Sequence, residues 1–132
     1  MTCIVGIKTD DGVVIGGDHA VNDGDQVRPL IPPKVFQIGN FTIGFCGSLR
    51  VGQVIQYCLR IPPINNQDLL KYMCVNFINA IRACLNKVGA ARRDKEEEEQ
   101  ENRYLVGVKG RLFEIDEGYS VCECIVRSPF CI

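Results

Sequence analysis

The first eighteen residues constrain the fold more than any other stretch. Thr2 to Lys8 is a short run rich in β-branched and apolar residues. Thr9-Asp10-Asp11-Gly12 follows, and Asp-Gly between two such runs is a strong hairpin signal. Val13-Val14-Ile15-Gly16-Gly17-Asp18 then reads as the returning strand, its two glycines implying close backbone approach or a kink. A hairpin at this place brings the surroundings of Thr2 beside those of Asp18.

The same alternation returns further on. Lys34-Val35-Phe36-Gln37-Ile38, the turn Gly39-Asn40 and Phe41-Thr42-Ile43-Gly44-Phe45-Cys46 predict a second hairpin. Between the two, residues 19–33 read as an irregular loop, because Asn22, Asp23, Gly24 and Asp25 mark turns and Pro29, Pro32 and Pro33 block regular pairing. After Gly47 the period changes. Ser48 is a candidate N-cap, and Val51, Val54, Ile55, Cys58 and Leu59 recur at helical spacing up to Pro62-Pro63. A second helix is predicted from about Asn66, with Leu70, Met73, Phe77, Ile81, Leu85 and Val88 forming a core-facing stripe. Residues 92–102 are charged throughout and read as a solvated helix end or loop. Tyr104 to Lys109, Gly110, and Arg111 to Ile115 form a third hairpin, and the tail from Asp116 to Ile132 has no clear period. Two hairpins, two helices and a further hairpin indicate the α+β class, with antiparallel sheet and both helices on one face.

At 132 residues, 46% of them hydrophobic, the chain suits one domain spanning residues 1–132. A net charge of −1 gives no sign of the basic face that nucleic-acid binders usually show, and Ala90-Ala91-Arg92-Arg93 is too short to supply one. The start carries no basic segment ahead of an apolar run, and every apolar run is interrupted before it could span a bilayer. A soluble, cytoplasmic protein is expected, with neither membrane nor nucleic acid as partner. Without secretory context, the 8 cysteines predict buried free thiols in apolar segments rather than a disulfide framework. Cys122-Glu123-Cys124 with Cys131 matches no standard zinc spacing, and no metal or other cofactor is expected.

Thr2 offers a chemistry that few other residues could. A threonine hydroxyl is a weak nucleophile and needs a base. Once Met1 is removed, the threonine's own α-amine can serve, since its reference pKa of about 7.7–8.0 leaves part of it neutral near pH 7. A lysine beside the hydroxyl would disfavour protonation of the amine and stabilise developing oxyanion charge, and would itself need a carboxylate anchor. Asp18 and Lys34 could form that pair. The strand-to-helix junction Gly44-Phe45-Cys46-Gly47-Ser48 could supply backbone N–H groups for an oxyanion. His19, with the opposite pleat direction from Asp18, reads as a loop histidine rather than a base.

These residues resemble the opening of proteasome β-type subunits and of the bacterial HslV-type peptidase. The resemblance rests on Thr2 followed by an apolar strand, on the Gly-turn hairpin ending at Asp18, and on the spacing from Thr2 to Asp18 and from Asp18 to Lys34. It is strong over residues 2–60, topological over 61–116, and lost in the atypical tail 117–132. It implies an N-terminal-nucleophile (Ntn) hydrolase: an αββα sandwich whose catalytic residues are Thr2, Asp18 and Lys34. The oxyanion role carries to Gly44, with Gly47 beside it. It also implies endopeptidase activity through an acyl-enzyme, a homo-oligomeric ring, a partner ATPase that unfolds substrates, and no cofactor. The family pattern runs on into further strands, two more helices and a Ser, Asp and Ser, for which Ser120 and Ser128 are no match. The sequence therefore reads as the N-terminal portion of the sandwich, truncated at its C-terminus. Nothing precedes Met1-Thr2 as a propeptide would, which points to maturation by methionine removal alone. Cys3, facing the opposite side of its strand from Thr2, is assigned no chemistry. Two other readings stay open: a non-catalytic assembly subunit of the same fold, and an amidase acting on a small molecule.

Overall fold

Two antiparallel sheets lie face to face, with helices on the outer side of the larger one. The computed structural model describes residues 2–29, 31–89, 92–94, 97–125 and 127–132. β1 (Ile4–Thr9) and β2 (Gly12–Gly17) form the first hairpin, in register from Ile4↔Gly17 to Thr9↔Gly12, with Asp10 and Asp11 as its turn. β3 (Ala20–Asp23) and β4 (Gln26–Pro29) make a small separate ribbon. The stretch read as irregular is thus partly paired, and Pro29 is tolerated because this ribbon has only edges. β5 (Val35–Ile38) and β6 (Phe41–Cys46) form the second hairpin.

α1 (Leu49–Cys58) begins where Ser48 Oγ accepts the N–H of Val51, the predicted cap. The second helix is continuous but not uniform: α2 (Leu69–Tyr72) passes through a π turn at Met73–Phe77 into α3 (Ile78–Lys87). Asp68 caps its start by accepting from Lys71 N–H. The π turn adds one residue to the turn and shifts the phase. Met73, Phe77, Ile81 and Leu85 face the core as predicted, but Leu69 and Tyr72 do so in place of Leu70, and Leu70 and Val88 are exposed.

β7 (Arg92–Asp94) pairs with β8 (Glu97–Glu99), so a charged ribbon replaces the helix end or loop expected there. Ala90, Ala91, Lys95 and Glu96 lie outside the described residues. β9 (Arg103–Val108) and β10 (Arg111–Ile115) form the third hairpin, its turn residues Lys109 and Gly110 both left-handed at φ 49° and 70°. The tail contributes β11 (Val121–Cys124) to β10 and β12 (Phe130–Cys131) to β1.

The five-stranded sheet runs β11-β10-β9-β6-β5, and the three-stranded sheet β12-β1-β2. The helices cover one face of the larger sheet through Phe41, Phe45, Val54, Tyr72, Phe77 and Phe113. Its other face meets the smaller sheet through Ile4, Leu105, Leu112 and Cys124, with Val13, Ile15 and Val35 beside them. The architecture is α+β with facing antiparallel sheets, as predicted. Among the described residues the smaller sheet carries no helix on its outer side, where Val5 and Val14 are exposed.

All eight cysteines are free, but only Cys84 and Cys124 are buried. The expectation of a set of core thiols fails because Cys122 and Cys131 lie at the outward positions of sheet strands, Cys3 is exposed just before β1, and Cys58 and Cys74 are on the outer helix surface. Among the described residues no helix is long and apolar enough to cross a membrane.

Candidate active site

The register of the first hairpin places Cys3 opposite Asp18, so Thr2 and Asp18 meet at the open end of β1 and β2. Asp18 N–H donates to Cys3 O at 3.1 Å, and Cys3 N–H donates back to Asp18 Oδ2 at 2.6 Å. The second hairpin brings in Lys34, immediately before β5, where its carbonyl accepts the N–H of Phe45 at 3.1 Å. Its side chain crosses to the first hairpin. Lys34 Nζ donates to Thr2 Oγ1 at 3.0 Å, to Asp18 Oδ1 at 2.6 Å and to Ala20 O at 2.5 Å.

Those three bonds define what Lys34 can do. An ammonium has three protons and no lone pair, and here every proton is committed. The residue is only 5% exposed. It is a fixed positive charge against the threonine oxygen, and it cannot accept the hydroxyl proton while so arranged. Asp18 is its counter-ion. Burial alone would raise the Asp18 carboxyl, but the bonds from Lys34 and from the N–H groups of Cys3 and Ala20 outweigh it and hold the group at about 2.

A cavity of about 170 Å³ opens onto this cluster, lined by Thr2, Ala20, Val21, Lys34, Phe45, Gly47 and Leu49. A larger hollow of about 440 Å³ at the far end of β5 and β6 contains Lys109 as its sole ionisable lining residue and no hydroxyl or thiol nucleophile.

The predicted site residues therefore separate. Thr2, Lys34 and Gly47 line one cavity, and Asp18 joins them through its bond with Lys34. Gly44 does not line it. It lies within β6, flanked by Val35 and Leu105, and a Cβ there would stand 2.7 Å from Ile4 Cγ2 and 3.1 Å from Ile15 Cγ2. Glycine at 44 lets the two sheets approach, whereas Gly47, at φ +119°, shapes the turn at the cavity wall. Of the two glycines to which the resemblance carries the oxyanion role, Gly47 is the one that lines the cavity. His19 is exposed, as its loop position suggested. Glu123, within the cysteine cluster, is bound through both oxygens by Arg111 at 2.7 and 2.6 Å, and no group of three potential metal ligands occurs among the described residues. The Ala20 carbonyl and the walls Val21, Phe45 and Leu49 had no sequence signal, since they reach the site only through the folding of separate strands.

The facing antiparallel sheets with helices on one outer side are the fold of solved proteasome β-type and HslV-type structures. A family profile described as Proteasome subunit matches residues 1–60. No match was found among curated protein sequences. Among solved structures, Thiobacillus denitrificans BPH in complex with epoxomicin superposes at TM-score 0.75 with 13% identity, over 98% of this chain and 70% of that one. Eukaryotic HslV from Trypanosoma brucei gives 0.57 with 20% identity, over 98% and 70%. The helical assembly of the Anbu complex from Pseudomonas aeruginosa gives 0.60 with 16% identity, over 98% and 60%.

Proposed function

We propose that the chain is a threonine-type endopeptidase whose nucleophile is Thr2 after removal of Met1, a residue outside those described. The observation that carries this reading is the Lys34 ammonium, held at once on Thr2 Oγ1 and Asp18 Oδ1 at the mouth of a cavity. A buried lysine shared between a hydroxyl and a carboxylate has little structural purpose where an apolar residue would pack at lower cost. It does have an electrostatic one, stabilising oxygen as it gains negative charge.

The steps follow from which groups can take a proton. Lys34 has none to spare and Asp18 is too weak a base, so the freed α-amine of Thr2 accepts the Oγ1 proton, directly or through a water. Oγ1 attacks the peptide carbonyl carbon, and the carbonyl oxygen becomes an oxyanion facing the Gly47 N–H. Collapse breaks the C–N bond, and the protonated amine returns its proton to the departing nitrogen. Water then attacks the ester by the same route and frees Thr2.

An oligomer is part of the proposal. Val5 and Val14 expose apolar surface on the open sheet, where another subunit could cover it, and the Anbu relative forms an assembly. A ring, an unfolding ATPase and a cytoplasmic location follow from the proteasome-like reading. Sedimentation would test the oligomer.

Intact mass after expression should show loss of Met1, and epoxomicin should add to the chain with the adduct mapping to Thr2. Retained Met1, or labelling elsewhere, would sink the mechanism. A panel of fluorogenic peptides set against simple amides separates an endopeptidase from a small-molecule amidase. Labelling without turnover of any of them would favour a subunit used for assembly.

A further inference from the structure

Behind the cavity wall, one buried side chain holds both polar groups of Ser48. Asn102 has no solvent exposure. Its Oδ1 accepts the Ser48 N–H at 2.6 Å, and its Nδ2 donates to the Ser48 carbonyl at 3.0 Å. The start of α1 does not require this, because Ser48 Oγ already caps Val51 and the Ser48 carbonyl already accepts the Gly52 N–H at 3.1 Å. The turn also fits against Asn102 too closely for any residue but glycine at 47: a Cβ there would stand 2.4 Å from Glu101 O and 2.5 Å from Asn102 Oδ1.

Asn102 is clamped in turn by Gln100, itself 3% exposed. Gln100 Oε1 accepts the Asn102 N–H at 2.9 Å, and Gln100 Nε2 donates to the Asn102 carbonyl. The rest of the Gln100 amide is used by Tyr104 Oη, donating at 3.1 Å, and by the Asp116 carbonyl at 3.3 Å, while its backbone N–H donates to Glu117 O at 3.0 Å. The side-chain amides of Gln100 and Asn102 are both satisfied at oxygen and nitrogen, and a buried network satisfied throughout is rigid. With the Ser48 N–H committed to Asn102, the Gly47 N–H is the donor that this turn can still offer to the cavity that Gly47 lines.

We infer that Asn102 is a positioning residue: it fixes the Ser48 peptide and so aims the adjoining Gly47 N–H at the oxyanion. The inference rests on the reading of Thr2 as nucleophile. Asn102 touches no substrate and acts through the turn, with Gln100 as its support.

The test uses the full chain with Asn102→Leu and Asn102→Asp. The first removes both bonds, and the second keeps an acceptor for the Ser48 N–H. Active sites are counted by epoxomicin adduct, so that turnover is read per competent site. Loss of one oxyanion donor costs about 100- to 1,000-fold in kcat, so a misaimed donor should cost about 10- to 100-fold in Asn102→Leu. The loss should be smaller in Asn102→Asp, with KM within about threefold in both. A residue with only a structural role would reduce the number of sites and leave kcat per site unchanged, and that outcome overturns the inference. Hydrogen exchange supplies a readout independent of activity. The Ser48 amide of the unmodified chain should exchange as slowly as the amides of β9, and faster in Asn102→Leu. If it exchanges like an open turn, the clamp does not exist, and this decides the matter even where both variants fail to fold. An unmodified chain that neither labels nor turns over removes the peptidase reading and leaves the clamp to be judged on exchange alone.

Discussion

Lys34 Nζ and Asp18 Oδ1 stand 2.6 Å apart, with the lysine buried and the aspartate partly open to water. Folding depends on this pair through pH. The Asp18 carboxyl is held at about 2 in the folded chain, against about 3.9 for an unfolded aspartate. The unfolded chain therefore binds the proton more tightly, and the pair's contribution is complete above about pH 4 and lost as pH falls towards 2. Urea unfolding followed by circular dichroism from pH 5 to pH 2 should show falling stability. Asp18→Asn, which strands a buried ammonium, should be less stable at neutral pH by about 3–5 kcal/mol and flatter across the acid range. Equal acid slopes in the two proteins would count against the linkage.

Thr2 contributes differently, because it gives the fold little. Removing its hydroxyl leaves Lys34 bound to Asp18 and to the Ala20 carbonyl. Thr2→Ala should therefore unfold within about 0.5 kcal/mol of the unmodified chain, the usual range for a change outside the core. It should also lose the epoxomicin adduct and at least about 10⁴-fold in peptide turnover. Residual turnover near the original rate would mean that the hydrolysis belongs to a different group or to a contaminant.

The two glycines of the β6–α1 junction should part company in the same assays. Gly44→Ala drives a Cβ into Ile4 and Ile15 between the sheets, an overpacking that costs typically about 1–3 kcal/mol. Its kcat per folded molecule should change little. Gly47→Ala meets backbone oxygen at a positive φ, so the turn itself must move, and kcat should fall by about 100-fold or more. Denaturant midpoints and active-site titration, measured together on both variants, would show whether the oxyanion role rests on residue 47 or on residue 44.

What the sequence revealed and what it hid divide along the range of the interactions. The hairpins at 4–17, 35–46 and 103–115 were legible because turn chemistry and two-residue alternation act over a few positions, and Thr2, Asp18 and Lys34 converge because those hairpins carry them. Strands β11 and β12 have no such signature. Their pairing is decided by β10 and β1, and a strand two residues long holds no period to read. The π turn at Met73–Phe77 changes the helical phase, which a stripe of constant period does not include, so Leu69 and Tyr72 rather than Leu70 face the core ahead of it. Gln100 and Asn102 sit at the end of a charged run and looked like more solvated surface. What distinguishes them is burial against residue 48, fifty-four positions away for Asn102, and no local pattern encodes that. In sequence Gly44 reads as part of the oxyanion turn because a Gly-rich junction says that backbone must be close to something. It does not say whether that is substrate or a facing sheet.

On the proposed mechanism, the cavity beside Thr2 would also limit which peptides are cut. Its walls away from the reacting atoms are Val21, Phe45 and Leu49, and its volume is about 170 Å³. Of the lining residues only Lys34 is charged, and its three protons are already engaged. A carboxylate or ammonium on the substrate would lose its hydration there without a partner, a loss large enough to decide selectivity. Small and medium apolar side chains just before the cut bond should be preferred over charged ones and over tryptophan. Phe45 is a poor place to test this, since it is buried in the core under α1, and truncating a buried phenylalanine costs about 3–5 kcal/mol. Leu49 is only partly buried, so Leu49→Ala should widen the cavity at smaller cost. We expect kcat/KM to shift towards phenylalanine and tyrosine by about 10-fold or more relative to alanine, in line with the ~1–3 kcal/mol that an apolar pocket distinguishes per methylene. An unchanged preference profile in a folded, titratable Leu49→Ala protein would place the specificity pocket elsewhere, including on a neighbouring subunit.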